Sequence, residues 1–141
     1  MLVPLSWLKK YVSVDLSPTE LAHKLTMAGT EATSVEQIGA DWDSDKILVG
    51  EVLKVELHPN ADRLKLPTVD LGNGETRTVV CGAPNVAVGQ KIVFARVGAR
   101  LFNTKSGRIE PLRTANIRGV ESGGMVCSER ELGLGDDHEG I

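Results

Sequence analysis

Between residues 47 and 127 the sequence divides into short β-type stretches separated by turn residues, and this spacing restricts the fold more than any other feature. The stretches are rich in Val, Ile, Leu and Thr, whereas the segments between them carry Gly, Pro and Asn. The predicted strands are 47–57, 64–71, 76–81, 91–95, 109–117 and 125–127. Five or six short strands with only one short helix predict a mainly β fold, a small, partly open barrel of five strands.

The first predicted strand alternates along its length with period two, so its side chains are divided between two faces. We expect one face to carry Ile47, Val49, Leu53, Val55 and Leu57, and the other Gly50, Lys54, Glu56 and His58. In the second strand Pro67 lacks a backbone N–H. It is therefore expected at a sheet edge or at a bulge.

A glycine-dense stretch runs from Arg118 to Ser128, with three glycines in eleven residues. Glycine permits positive φ and close approach of another backbone or a ligand, so this stretch predicts a tight turn followed by a buried strand. Ser128 with Glu131 three residues later predicts a capping box at the start of a helix over 129–134, ended by Gly135. A ligand site and an ordinary turn are both compatible with this pattern.

Residues 1–38 predict a different kind of segment, consisting of two helices and a strand. A helix is expected over 4–12, and a second begins at Ser17-Pro18 with Glu20 completing a capping box and ends at Gly29. A strand is expected over 31–38. This segment is too short to bury a sufficient core, so we expect other chain to complete it. Residues 39–46 are expected to link it to a second domain, 39–141.

The composition is that of a soluble globular chain: 141 residues, 41% hydrophobic and 25% charged. There is no apolar run of membrane-spanning length and no secretory signal pattern. The two cysteines, Cys81 and Cys127, are far apart in sequence, and neither lies in a CxxC pair. Free thiols in a cytoplasmic protein are therefore expected rather than a disulfide or a metal site.

The positive charges are concentrated in one part of the sequence, although the net charge is −3. The window 91–118 contains seven Lys or Arg residues and one Glu, a net charge of +6, and 120–141 carries one Arg and six acidic residues. A basic segment in an acidic chain predicts a localised anionic partner. Charges scattered over a solvated surface are the alternative. The first interpretation requires the basic side chains to lie side by side on one wall of the barrel.

The sequence contains no recognisable catalytic constellation. The candidate partners of His58 are Asp62, four residues on, and Cys81, but no spacing selects either of them. We therefore expect a non-catalytic chain.

The barrel portion has only Phe94 and Phe102 as aromatic residues, too few to stack successive bases of a single strand. Contacts to phosphates and 2′-hydroxyls of a folded RNA fit the composition better.

Several ordered motifs resemble the tRNA-binding domain family, an OB-fold barrel. They are Val49-Gly-Glu-Val, His58-Pro-Asn-Ala-Asp-Arg-Leu, Val80-Cys-Gly-Ala-Pro-Asn, Val88-Gly-Gln-Lys, the stretch 118–128 and Glu131-Leu-Gly-Leu. The segment Ser6-Trp-Leu-Lys-Lys-Tyr-Val, with Leu25-Thr-Met-Ala-Gly, is similar to the N-terminal region of bacterial phenylalanyl-tRNA synthetase β subunits.

The resemblance implies a module that binds and positions tRNA(Phe) without being catalytic itself. It also implies a longer subunit that pairs with an α subunit as an α2β2 ligase, in which ATP and Mg²⁺ are bound outside these residues. An assembly domain with little RNA binding is the alternative function.

The predicted RNA-contact set combines the basic window with residues that match family motifs or carry polar side chains. Its members are Asn85, Lys91, Arg96, Arg100, Lys105, Arg108, Arg113, Asn116, Arg118, Ser122 and Met125. Of these, the resemblance implies Asn85, Arg118, Ser122 and Met125.

Overall fold

The structure is a computed structural model that describes residues 1–39 and 42–141. The chain forms two compact units, Met1–Ile38 and Gly39–Ile141. The predicted linker, 39–46, includes two residues outside the described part. No helix among the described residues is long and apolar enough to cross a membrane.

The first unit contains two helices, α1 (Leu5–Leu8) and α2 (Pro18–Met27). The predicted capping box of α2 is present: the Glu20 N–H donates to Ser17 Oγ at 3.3 Å, and the Ser17 N–H donates to Glu20 Oε2 at 2.9 Å. Pro18 occupies the first helical position, where its missing N–H has no cost. Gly29 follows the helix with a φ of 96°.

Two predictions for the first unit are wrong. The helix expected over 4–12 is a single turn, because Pro4 provides no side-chain cap and an isolated short helix is marginal. Residues 31–38 form no strand, since all strand pairing in the described residues lies between residues 47 and 126 and an unpaired strand leaves its backbone groups unsatisfied. No residue of Met1–Ile38 is buried, and large apolar side chains such as Trp7 and Met27 are exposed.

The second unit is built from nine strands and a short helix within the described residues. They are β1 (Ile47–His58), β2 (Ala61–Asp70), β3 (Thr76–Thr78), β4 (Lys91–Arg96), β5 (Arg100–Asn103), β6 (Arg108–Pro111), β7 (Ala115–Ile117), β8 (Val120–Ser122), β9 (Gly124–Val126) and α3 (Glu129–Leu132). Five strands form one antiparallel sheet in the order β3-β2-β1-β4-β9, and two hairpins, β5-β6 and β7-β8, lie outside it. The predicted mainly β fold and five-stranded sheet are confirmed.

One face of the sheet surrounds an aliphatic core, which we call the inner core. It consists of Val52, Val69, Val79, Cys81, Val86, Ile92, Phe94 and Val126. Because residues from both ends of the strand order share this cluster, the sheet curls toward a barrel. In the described residues no ladder joins the two edge strands, β3 and β9, so the barrel has a seam.

The predicted faces of β1 are wrong beyond Val52. The register with β2 shifts between Val52 and Lys54, so Leu53 is an extra residue and the alternation reverses after it. Val55 consequently packs against the inner core, while Val49 is 70% exposed. Pro67 is paired with Val55, one pair beyond this bulge, in a strand that lies between β1 and β3, so it is near the bulge but not at a sheet edge.

A second cluster, the outer core, lies against the other face of the sheet. It contains Ala95, Ala99, Leu101, Cys127 and Leu132, with Trp42 packed against it. The Trp42 indole N–H donates to the Leu132 carbonyl at 3.2 Å. The predicted capping box at Ser128 and Glu131 is present, but α3 ends earlier than predicted, at Leu132, with Gly133 in the left-handed region (φ 70°).

Gly124 lets β9 lie directly on the inner core. A Cβ placed there would be 2.3 Å from Phe94 Cζ and 3.0 Å from the Ala95 carbonyl oxygen. Its neighbour Gly123 has no atom within 4 Å of the same position. Only the second of these two adjacent glycines is required by packing.

Gly124→Ala is therefore expected to lower the free energy of unfolding by about 1–3 kcal/mol, because Phe94 has no room to move without disturbing a close-packed core. Gly123→Ala is the matched control and should change it by less than about 0.5 kcal/mol. Urea denaturation of both variants measures the difference. Equal effects of the two substitutions would contradict this account of β9.

Candidate nucleic-acid interface

Arg118 lies at the tip of the β7-β8 hairpin in an unusual backbone conformation. Ile117 pairs with Val120, so Arg118 and Gly119 form a two-residue loop, and both have positive φ, 51° and 91°. Loops of this kind match the twist of the flanking strands, but they normally carry Asn, Asp or Gly at the first position. An arginine in this conformation lowers the free energy of unfolding by roughly 1 kcal/mol. The position of the exposed guanidinium therefore reduces the stability of the fold.

The β1-β2 turn holds this hairpin in place. The Asn60 side-chain amide donates to the Arg118 carbonyl at 2.9 Å, and Asn116 Oδ1 accepts the Gly119 N–H at 2.9 Å. The Arg118 guanidinium also reaches the Asn60 carbonyl at 3.5 Å, a long and exposed contact. The Arg118 backbone is therefore fixed from two sides, while its side chain is largely available to a partner.

His58 connects the turn and the hairpin from inside the protein. It is 5% exposed, and its Nδ1 accepts the Asn60 N–H at 3.1 Å. Its Nε2 must therefore carry the proton that it donates to the Ile117 carbonyl at 3.0 Å. Both ring nitrogens are used in these bonds, so neither is available to Cys81 or Asp62 as a general base.

The two cysteines are free and buried, and they have the properties of core residues. Burial raises the pKa of the Cys81 thiol. Burial, with a further contribution from Glu131, raises the pKa of Cys127 to about 12. A thiol that stays protonated is a poor nucleophile.

Arg96 is the one member of the basic window that has a carboxylate partner in the described residues, since its guanidinium is paired with Glu75. The other six basic residues have no carboxylate within 4.0 Å among residues 1–39 and 42–141.

Glu110, the single acid of the window, accepts a hydrogen bond from the Asn103 amide at 2.9 Å. Hydrogen bonds from Ser106 and Asn103 hold the pKa of that carboxyl below its usual value.

The basic side chains do not form a single row. In the β5-β6 hairpin, Arg100 shares a face with Phe102, whereas Arg108 is opposite Asn103 and lies on the face of Leu101. Lys105 is in the loop between these strands, Arg113 follows β6, and Lys91 begins β4. Strand alternation thus sends Arg100 and Arg108 in opposite directions, so the expectation that the basic side chains lie side by side on one wall is wrong.

Three other members of the predicted RNA-contact set are engaged in contacts with other parts of the chain. Ser122 is 4% exposed, and its hydroxyl accepts the Val80 N–H at 3.1 Å and donates to the Gly124 carbonyl at 3.0 Å. Met125 packs against the outer core. The Asn85 side-chain amide donates to the Ile141 carbonyl oxygen at 2.7 Å and accepts the Ile141 N–H at 3.1 Å. These contacts indicate structural roles for the three residues.

The fold brings two further residues, Glu75 and Arg77, to the basic window, and no sequence pattern predicts their position there. Both lie outside 91–118, and Glu75 contacts Arg96 only because the sheet curls. Sequence patterns also do not identify Asn60 as the residue that holds Arg118. The only available signal was its place in the turn 58–62.

A curled five-stranded antiparallel sheet, with exposed cations on its hairpins that have no carboxylate partner in the described residues, has the architecture of an oligonucleotide-binding domain. Comparison with protein families gives the same class: residues 47–141 match the family described as "Putative tRNA binding domain". The chain belongs to this family.

Curated proteins similar to this chain are phenylalanine–tRNA ligase β subunits. The protein from Dehalococcoides mccartyi is 54% identical over 141 residues, which cover 100% of this chain and 17% of that protein. The protein from Bacteroides thetaiotaomicron is 46% identical over 142 residues and that from Salinibacter ruber 48% over 144, with 100% and 99% of this chain covered. The chain spans 17% of the length of each of these relatives.

The raised pKa of Cys127 predicts a pH dependence of stability. Above pH 9.0, its ordinary value, the thiol ionises in the unfolded chain but keeps its proton in the folded chain until about pH 12. The folded state then binds more protons, so the free energy of unfolding should fall across this interval, by up to roughly 4 kcal/mol. Urea denaturation from pH 8 upward, with Cys127→Ala to subtract the other titrating groups, measures it. Parallel curves for the two proteins would exclude the effect.

Proposed function

We propose that this chain binds tRNA through the Gly39–Ile141 unit and takes no part in bond making itself. The observation that carries the proposal is the family match over 47–141. The matched region also contains the six exposed cations of the basic window that have no carboxylate partner in the described residues, although these cations lie on more than one face. Such side chains can neutralise phosphates without first breaking an internal ion pair. The scarcity of exposed aromatic residues favours the backbone of a folded RNA over stacked bases.

Arg118 is the contact that we propose to contribute most. Its backbone is fixed by Asn60 and Asn116, so little conformational entropy is lost there when RNA binds. A strained conformation maintained by surrounding hydrogen bonds is a feature of functional positions. Lys105, Arg108 and Arg113, on and after the β5-β6 hairpin, supply further positive charge. Asn116 Oδ1 accepts the Gly119 N–H, so the side-chain NH₂ group of Asn116 is left to donate to a phosphate or a 2′-hydroxyl.

We further propose that the chain is the N-terminal region of a phenylalanine–tRNA ligase β subunit. Its similarity to such subunits along their first part supports this assignment. In that larger protein an α subunit would be the partner, ATP and Mg²⁺ would be bound outside these residues, and the location would be the cytoplasm. The exposed apolar side chains of Met1–Ile38 fit a segment that later chain completes.

A role in assembly alone is the other function that the sequence leaves open. Membership of the tRNA-binding family does not favour it. The two functions differ in a measurable way, since an assembly domain would tolerate loss of its exposed cations without any change in RNA affinity.

Arg118→Gly should separate RNA binding from stability. Glycine relieves the positive-φ strain, so the free energy of unfolding should stay equal or rise by about 1 kcal/mol. The loss of one charged contact should weaken tRNA binding about tenfold and reduce the slope of log affinity against log salt by roughly 0.7–0.9. Fluorescence anisotropy with tRNA at several salt concentrations measures both quantities.

Two further variants control this experiment. Arg118→Gln should show the same loss of affinity without the gain in stability. Lys24→Gln, an exposed position on α2, changes the net charge by the same amount and should leave the affinity nearly unchanged. If all three variants bound tRNA like the unmodified chain, Arg118 would not be a contact. If the unmodified chain bound no tRNA, the proposed function would be wrong.

A further inference from the structure

A cleft of about 390 Å³ lies at the seam of the barrel, where the β3 edge approaches the ends of β4 and β8. Its lining includes Glu75 and Arg77 from the β3 side, Arg96 from β4, and Thr114 and Gly123 from the segments around β7 and β8. The volume is within the range of small-ligand sites, roughly 300–1,000 Å³. Gly123 contributes no side chain, which keeps this part of the wall open.

The charge in this cleft is arranged around one carboxylate. Glu75 Oε1 accepts from Arg77 Nε at 3.0 Å, and Glu75 Oε2 is paired with the Arg96 guanidinium. Two guanidiniums and one carboxylate leave a net charge of +1. Glu75 therefore fixes both arginines and also repels any anion that approaches them.

Both arginines have donor capacity that the described residues do not use. The Arg96 side chain is 39% exposed; its Nη1 donates to the Asp45 carbonyl at 3.3 Å and its Nη2 is paired with Glu75, so each terminal nitrogen keeps a second N–H. Its Nε–H is buried without a partner in the described residues and is out of reach of a ligand. Arg77 bonds Glu75 through Nε alone, and its side chain is 60% exposed, so its terminal nitrogens face solvent or the cleft. Guanidinium groups present their donors in the geometry that suits a phosphate.

We propose that this cleft binds one phosphodiester of the RNA backbone, between Arg77 and Arg96. The inference rests on the proposed function and adds Arg77, which lies outside the basic window, to Arg96, which lies within it. The single net positive charge matches a phosphodiester, which carries one negative charge, better than a free phosphate with its charge close to −2. Thr114 supplies a hydroxyl donor at the rim. In this arrangement Glu75 is a positioning residue that orders the two guanidiniums.

The test measures tRNA affinity and its salt dependence for the whole 141-residue chain. Arg77→Gln keeps the Glu75–Arg96 pair and should weaken binding about fivefold and lower the salt slope by roughly 0.7–0.9. Glu75→Gln removes the competing charge but keeps an amide oxygen for Arg77, and it should strengthen binding about fivefold. If Glu75 had only a structural role, Glu75→Gln would not strengthen tRNA binding.

Glu56→Gln is the matched control for Glu75→Gln. Glu56 forms an exposed pair with Lys54 at 2.8 Å, so this substitution also frees a cation and changes the net charge by one unit. The proposal requires Glu75→Gln to bind tRNA more tightly than Glu56→Gln. Thermal unfolding of each variant verifies that it is folded.

Three results would overturn the proposal. The first is an unchanged affinity and salt slope for Arg77→Gln, and the second is equal affinity of Glu75→Gln and Glu56→Gln for tRNA. The third is stronger competition with tRNA by potassium phosphate than by potassium chloride at equal ionic strength, which would assign the cleft to free phosphate. In each case tRNA binding by the unmodified chain persists. Absence of that binding would instead refute the proposed function.

Discussion

The packing of Phe94 against the backbone of Gly124 is the contact on which the rest of the barrel unit depends. Phe94 is fully buried and is the only aromatic residue of the inner core. Because position 124 has no side chain, β9 can pair with β4 directly beside this ring. The chain then passes through Cys127 and Ser128 into α3, which covers the opposite face. The contact between Phe94 and Gly124 therefore connects the inner core to the outer core, because β9 packs on the first and leads into α3, which packs on the second.

Side chains hold the seam of the barrel, since no ladder joins β3 to β9 in the part of the chain that the structure describes. The Ser122 hydroxyl receives the Val80 N–H, and Glu75 reaches Arg96 across the same gap. Side-chain bridges hold two edges together without filling the space between them, which explains how a cleft can persist beside a well-packed core. A separate bond, from the Asn60 amide to the Arg118 carbonyl, holds the β7-β8 hairpin next to the β1-β2 turn.

Local sequence patterns predicted local structure well. Both capping boxes and the tight turn after Arg118 follow from residues that are close together in the chain. The strand expected over 109–117 is instead divided between β6 and β7, and β5 was not predicted. Predictions that needed knowledge of a partner strand were less successful. The faces of β1 were wrong after Val52, because an extra residue at Leu53 reverses the alternation and no composition signal marks it. The strand expected over 31–38 was wrong because the described residues offer it no partner.

For the candidate interface, the amino-acid order is enough to place the positive charge between residues 91 and 118 and a glycine-rich stretch before a capped helix. The accessibility of these residues depends on the fold. Ser122 is buried, Asn85 is bonded to Ile141, Arg96 is paired with Glu75, and Arg100 and Arg108 lie on opposite faces. Charge and turn propensity are properties of neighbouring residues, whereas accessibility is set by strand register and by how far the sheet curls.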